Sequence, residues 1–372
     1  MIGQMFGKTL AIYLAGNFFK VTAGLFVLLL SLIIVVDIIE FSRRVGTISD
    51  VRFTEIAYVV LFRAPWIAEN ILPFAVLFGA ATTLIVLNRR LELVVARAAG
   101  VSVWQFLLPI AVAAALIGAV SSLAYNPLAL AGKILSTAQE ADIFSRGPGK
   151  ATAGAKGVWM RLNQTEGDVV IRAEIGQDKG AQLTNVTAYR FDPSGTIVER
   201  IDARSATFVE TPSNDNHYVL EELVSTIPGS PGEARSNGLL PVQISKSQLQ
   251  ANQVEADEIG IWQLNQQADR VRQAGKSPLP FLTRFQALLS TPLLFIAMVL
   301  VAATISLRFA RFGINPKAIL AGVLAGFVVY VLSELLITFG SNGLVPPFVA
   351  AWSPAIVASL MGITVLLHQE DG

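Results

Sequence analysis

The sequence predicts a membrane α-helical bundle of six transmembrane helices, arranged 3 + 3, with an inserted all-β, jellyroll-like domain. Three observations carry this expectation. Apolar residues make up 53% of the 372 positions and charged residues only 15%, well below the roughly 25% of soluble domains. Six apolar runs are long enough to cross about 30 Å of hydrocarbon as helices. Between the third and the fourth run, residues 126–281 are polar and carry short alternating patterns.

The first span, Val21–Ile39, is too long for a signal-peptide core. No small-residue cleavage site follows it, so it reads as a retained anchor. The second, Trp66–Leu87, carries Glu69 and Pro73 near its start. In the loop Asn88–Gly100, Leu91–Ala99 are good helix formers and Gly100 makes a stop. The third span is Phe106–Leu123. After the insert come Arg284–Ser306, Ile319–Phe339 and Val349–Leu367. The expected units are 1–125, including a connecting helix at about 88–100, then 126–281 and 282–372. The two halves share no motif.

Within the insert, Ser145–Gly157 has no apolar periodicity and reads as a mobile loop. Strands are expected at Val158–Leu162, Asp168–Ile175, Leu183–Phe191, Thr196–Ile201, Ala206–Glu210 and Tyr218–Thr226. Turn formers such as Asp192-Pro193-Ser194-Gly195 separate them, the pattern of a small sandwich or barrel. Pro228–Gly238 reads as a second irregular loop. Glu255–Ala274 reads as a helix with Ile259, Trp262 and Val271 as its apolar positions, ended by Lys276–Pro280.

Loop charges set the expected orientation. The loops on the N-terminal side hold Lys8, Lys20, Arg89, Arg90, Arg97, Arg308, Arg311 and Lys317; the short loops opposite hold Arg43, Arg44, Arg52 and Arg63. The excess of basic residues places both termini in the cytoplasm and the insert outside it.

Several functions are excluded or disfavoured. With no cysteine there is no disulfide, thiol nucleophile or thiolate metal site. No G-x-x-x-x-G-K-[ST] loop is present; Gly147-Pro148-Gly149-Lys150 lacks its spacing and hydroxyl. There is no G-x-S-x-G elbow. His217 and His368 fall on opposite sides of the membrane, which excludes a histidine metal site within one chain. A net charge of +1 without a basic tract gives nothing suited to nucleic acid.

The remaining polar residues form three groups. Glu92 with Arg89, Arg90 and Arg97 occupies the loop helix. It is either a solvated connector or a docking helix whose carboxylate meets a partner's arginine. Asp37, Glu40, Arg43 and Arg44 end the first span. They either snorkel to fix helix depth or, through the arginines, grip an anionic headgroup. Arg63 and Glu69 flank the outer end of the second span, positioned to pair with each other or with a partner chain. Glu334 lies inside the fifth span, where a carboxylate faces the bundle interior or a wet cavity.

The stretch Leu72–Gly100 with its E-L-V-V-x-R-A-A-G motif, the segment Ser306–Phe312 and the tail Ala351–Gly372 resemble the LptF/LptG permeases of the lipopolysaccharide export ABC transporter. Val36-Asp37 followed by Arg43-Arg44-Val45-Gly46 is more similar to the G subunit (LptG). The resemblance implies an inner-membrane heterodimer with an LptF-like permease. It implies a cytoplasmic LptB-like ATPase homodimer that binds ATP and Mg, so that this chain holds no cofactor and no catalytic site. An LptC-like bitopic subunit beside the first span and lipopolysaccharide as substrate complete the set. Glu92 matches the coupling-helix glutamate, and Arg43 and Arg44 match the basic pair that contacts lipid phosphates. One departure is that the core of the first span is wholly apolar, where G subunits carry further lysines. The insert corresponds to a periplasmic jellyroll within a bridge toward the outer membrane. Spans one, two and five are expected to line a lipid cavity. The rival readings are a non-transporting assembly scaffold, a permease of another mechanotransmitting ABC system, and an intramembrane lipid enzyme. The last lacks the cluster of His, Asp or Glu at one depth that it requires.

Overall fold

The computed structural model describes residues 2–46, 48, 51–146, 157–162, 168–175, 182–192, 195–210, 216–228, 232–242, 255–273, 276–307 and 316–371. In chain order the helices are α1 (Ile2–Val45), α2 (Phe53–Arg89), α3 (Glu92–Ala98), α4 (Val103–Val120) and α5 (Asn126–Ser145). After the strands come α6 (Ile261–Gln273), α7 (Leu279–Ser306), α8 (Pro316–Ser341) and α9 (Pro347–Asp371). Among the described residues, six helical stretches are long and apolar enough to span a membrane: Gly7–Val45, Phe53–Arg89, Val103–Phe144, Leu279–Ser306, Leu320–Ser341 and Pro347–Gln369.

The first three stretches exceed their predicted apolar runs. At 1.5 Å per residue, the 39 residues of Gly7–Val45 extend about 58 Å, nearly twice the hydrocarbon thickness. Polar residues such as Asp37 and Glu40 end the apolar run without ending the helix. Beyond them α1, α2 and α5 share a small core of Phe41, Val45, Ile56, Val59, Val60 and Ile143. Lys20, counted above with the loops, lies inside α1, and Arg63 lies inside α2.

α4 begins with a capping box. The Gln105 N–H donates to Ser102 Oγ, and the Ser102 N–H donates to Gln105 Oε1 at 3.1 Å. The chain then passes through a π turn, Ser121–Tyr125, directly into α5. The boundary expected at 125/126 therefore falls within a continuous helical run. Pro127 cannot donate an N–H back to Leu123. The Leu123 carbonyl instead accepts from Trp262 Nε1 on α6, at 3.1 Å.

The main membrane core joins Leu14 and Phe18 of α1, Leu84 and Leu87 of α2, Phe106 and Ile110 of α4 and Phe295 and Met298 of α7; Leu93 of α3 is part of it. Two close approaches fix helix spacing. A Cβ on Gly79 would sit 3.0 Å from Thr22 Cα, and one on Gly118 would sit 2.7 Å from Pro292 Cα. Small residues at such crossings let helix backbones approach.

The insert holds β1 (Gly157–Leu162), β2 (Val169–Ile175), β3 (Gln182–Phe191), β4 (Ile197–Val209), β5 (His217–Thr226) and β6 (Glu233–Pro241). They form one antiparallel sheet in chain order, each strand paired with its sequence neighbour. One face carries Ile171, Val186, Ala188, Ile201, Phe208, Tyr218 and Leu220, which bury against one another. A single sheet achieves this by curling over its own apolar face. Burial there pushes the Tyr218 phenol far above its usual range.

The alternation slips by one residue at the same level in three adjacent strands. Two successive residues face outward at Thr184–Asn185 and Glu221–Glu222, with φ of 49° at Asn185 and 48° at Glu222; Arg204–Ser205 breaks β4 alike. Because the registers between β3, β4 and β5 do not shift at this level, the break runs across the sheet as a line that bends it. This corrects the expected pair Thr196–Ile201 and Ala206–Glu210, which is one strand, β4. The phase slip at Arg204–Ser205 had the look of a strand end. Pro228–Gly238 is also corrected: β6 begins at Glu233. Its side chains are almost all exposed on an edge strand, so it carries no apolar signature.

Helix α6 starts only at Ile261, after a 3₁₀ turn at Ala256–Glu258. It buries Ile261, Leu264, Ala268 and Val271, while Trp262 is exposed rather than apolar core. The glycine-rich Gly147–Lys150 loop and Arg308 and Arg311 lie outside the described residues.

Candidate functional site

Polar residues gather at three levels along the bundle. The first is the end that α3 closes. Leu91, with φ 62°, turns the chain sharply between α2 and α3. A branched residue in this left-handed region costs about 1–2 kcal/mol, so the turn is held by its surroundings. The anchor is Leu93, buried in the main core. Leu91, Val94 and Val95 stay exposed, as do Arg89, Arg90 and Arg97. Glu92 opens α3, the favourable end for a carboxylate. Its Oε2 accepts from Tyr13 Oη of α1 at 2.9 Å, and its Oε1 lies 4.0 Å from Arg90 Nη1.

The second level lies at the other end of α1, toward the sheet. Arg63 of α2 grips Asp37 of α1 with two donors, Nη2 at 2.7 Å and Nε at 3.2 Å. Its Nη1 reaches Glu140 of α5 at 3.3 Å, and its guanidinium lies over the Phe41 ring at 5.5 Å. Arg44 pairs with Glu40 one turn back and lies 4.0 Å from Glu140. Arg43 is exposed with no ion-pair partner among the described residues. Asp37, grouped by sequence with the two arginines, is thus occupied by Arg63. Farther out, the Asp142 and Glu55 carboxylates hold the Arg146 guanidinium protonated more strongly than usual.

The third level lies about 30 Å from Arg89, twenty residues along α2, at the expected outer edge of the hydrocarbon. Here Asn126 Nδ2 donates to both oxygens of Glu69, at 3.0 and 3.1 Å, and Asn126 Oδ1 accepts from the Ile261 N–H at 3.3 Å. Arg284 of α7 lies 3.7 Å from Glu69 and 3.5 Å from Asp257, just before α6. Glu334 of α8 lines the same polar cavity of about 80 Å³, with Arg284, Tyr330 and Ser333. The arrangement ties the segment returning from the β-domain to α2, α5 and α7. The expectation that Arg63 and Glu69 pair with each other is corrected: Arg63 meets Asp37 and Glu140, and Glu69 meets Asn126 and Arg284. The two lie six residues apart on α2, nearly two turns, so they engage different neighbours.

Tyr13, Glu140, Asn126 and Asp257 escaped the sequence reading because each acts through a contact distant in sequence. Arg284 carried a signal, a cation at the mouth of an apolar span opposite Glu69 and Glu334. Large apolar surfaces remain on α1 and α8, including Val27, Leu28, Leu32, Leu324, Phe327 and Val328. Beside α1 an apolar groove of about 490 Å³ runs between α1, α2 and α4, lined by Phe19, Phe26, Leu72, Leu116 and Ile117. Among the described residues no group of three or more His, Cys, Asp or Glu could hold a metal ion.

A family model described as lipopolysaccharide export system permease LptF/LptG matches residues 12–368. No curated protein matches the chain.

Proposed function

Since the chain belongs to the LptF/LptG family of lipopolysaccharide export permeases and is a multi-pass inner-membrane protein, we propose that it is the G-like half of a permease heterodimer that lifts lipopolysaccharide out of that membrane. Its termini and α3 face the cytoplasm, and its β-domain stands in the periplasm as part of a bridge toward the outer membrane. A cytoplasmic LptB-like ATPase homodimer binds ATP and Mg and supplies the energy; an LptC-like bitopic subunit lies beside α1.

The observation that carries this reading is α3. It is a short exposed helix at the bundle end opposite the sheet, keyed by Leu93 into the core that joins α1, α2, α4 and α7. A push on α3 therefore reaches four membrane helices through close-packed contacts. Glu92 at its head offers a carboxylate to a cationic group on the ATPase, with Arg89, Arg90 and Arg97 around it.

The need for such an engine follows from the substrate. Each CH₂ group moved from bilayer to water costs about 0.8 kcal/mol, so a lipid with several acyl chains costs tens of kcal/mol. Extraction then requires an apolar shelter and a driven cycle. The large exposed apolar faces of α1 and α8 suit the walls of that shelter at the interface with the second permease. Arg43, exposed at the outer end of α1, is free to meet a lipid phosphate; Arg44 joins it by exchanging Glu40 for the headgroup. The curled sheet then receives the acyl chains along its apolar face.

The test replaces Glu92 by Ala in the assembled complex and measures ATPase association and lipid release. Loss of both supports the docking role; wild-type values for both eliminate it.

A further inference from the structure

We propose that Tyr13 is the positioning residue for Glu92, fixing the carboxylate for the ATPase and tying α3 to the first membrane span. This deepens the docking role proposed above and rests on it. The observation is the hydrogen bond from Tyr13 Oη to Glu92 Oε2, 2.9 Å long, between residues 79 positions apart.

Three features make the contact more than incidental. Glu92 is the first residue of α3, directly after the left-handed turn at Leu91, so the backbone starts its side chain beside α1 and the hydrogen bond selects the rotamer. Leu93, the next residue, is buried with Leu14 and Phe18 in one apolar cluster. Tyr13 neighbours Leu14, so the hydrogen bond and the apolar anchor join the same turn of α1 to the same turn of α3. Finally, the bond occupies one carboxylate oxygen only. Oε1 faces Arg90 at 4.0 Å, too long for a hydrogen bond, and keeps its lone pairs for an incoming cation. A carboxylate held by one oxygen and open at the other loses less rotamer freedom on docking.

The geometry also has a directional consequence. A load on Glu92 is delivered to the cytoplasmic end of α1, the helix that carries Arg43 and Arg44 at its other end. Tyr13, which holds the engine's contact, and the arginines of the lipid contact thereby lie on one continuous helix.

The experiment is a double-mutant cycle on ATPase affinity, using the ATPase subunit that co-purifies with the wild-type complex. Tyr13→Phe keeps the ring and removes only the donor. It is expected to weaken association roughly fivefold, the share of one modest hydrogen bond, while Glu92→Ala weakens it further. In the Glu92→Ala background, adding Tyr13→Phe is expected to change affinity less than about twofold, because its target is gone. A purely structural tyrosine would weaken association equally in both backgrounds, which overturns the proposal. So does wild-type affinity in Tyr13→Phe alone. Wild-type affinity in Glu92→Ala alone rejects the docking role itself and is read separately from the Tyr13 result.

Discussion

Replacing Arg63 by Gln gives the most quantitative test of how α1 is held. Arg63, Asp37 and Glu140 have side-chain exposures of 15%, 13% and 25%. Removing the guanidinium takes from two largely sheltered carboxylates their hydrogen-bonded cation and leaves only Arg44, 4.0 Å from Glu140, nearby. Breaking a fully buried pair costs about 3–5 kcal/mol. The residual solvent contact here lowers that to about 2–3 kcal/mol, and loss of the cation over Phe41 adds about 0.5 kcal/mol. Equilibrium unfolding in mixed detergent micelles reads the change. The decisive comparison is the Asp37→Asn, Arg63→Gln double variant. Hydrogen bonds to charged groups contribute about 1.5–3 kcal/mol, and this one is two-donor and charge-assisted, so the double variant is expected to fall well short of the sum of the single losses. Additivity within about 0.5 kcal/mol would refute the claim that this pair docks the outer half of α1 on α2.

Three further outcomes follow from the same geometry. Asn126→Leu removes both donors to Glu69 and the acceptor for Ile261, so it is expected to cost about 2–3 kcal/mol and to raise amide exchange at the start of α6. Gly79→Ala places a methyl group against Thr22 of α1 and is expected to destabilise by about 1–3 kcal/mol; Gly24→Ala, with nothing within 4 Å, is expected to cost nothing and to gain up to about 1 kcal/mol of helix propensity. Reversing Arg43 and Arg44 to Glu together is expected to abolish lipid crosslinking near the outer end of α1, and unchanged crosslinking would reject headgroup contact there.

The six spans were legible because a hydrocarbon-crossing helix writes itself as a continuous apolar run. Their true lengths were not: the helical turns past Asp37 and before Trp66 mix charged with apolar residues and hold together through Arg63, Glu140 and Phe41. In the β-domain, alternation located four strands closely. It failed at Arg204–Ser205, where the period slips without the strand ending, and at β6, where Leu240 alone is buried. α3 was read nearly to the residue, since Gly100 stops it and its helix formers are uninterrupted. The polar partners were least legible. Glu92, Arg63 and Glu69 were visible as misplaced charges, yet Tyr13, Glu140 and Asn126 are ordinary residues until the fold brings them within 3.3 Å of those charges.

ATP-driven release of lipopolysaccharide from proteoliposomes tests the central claim most directly. Vesicles carrying this chain, its companion permease and the ATPase should pass lipid to an external periplasmic acceptor only when ATP is supplied, and vesicles lacking this chain should pass none. Equal release without the chain, or ATP hydrolysis by the purified chain alone, would contradict the account.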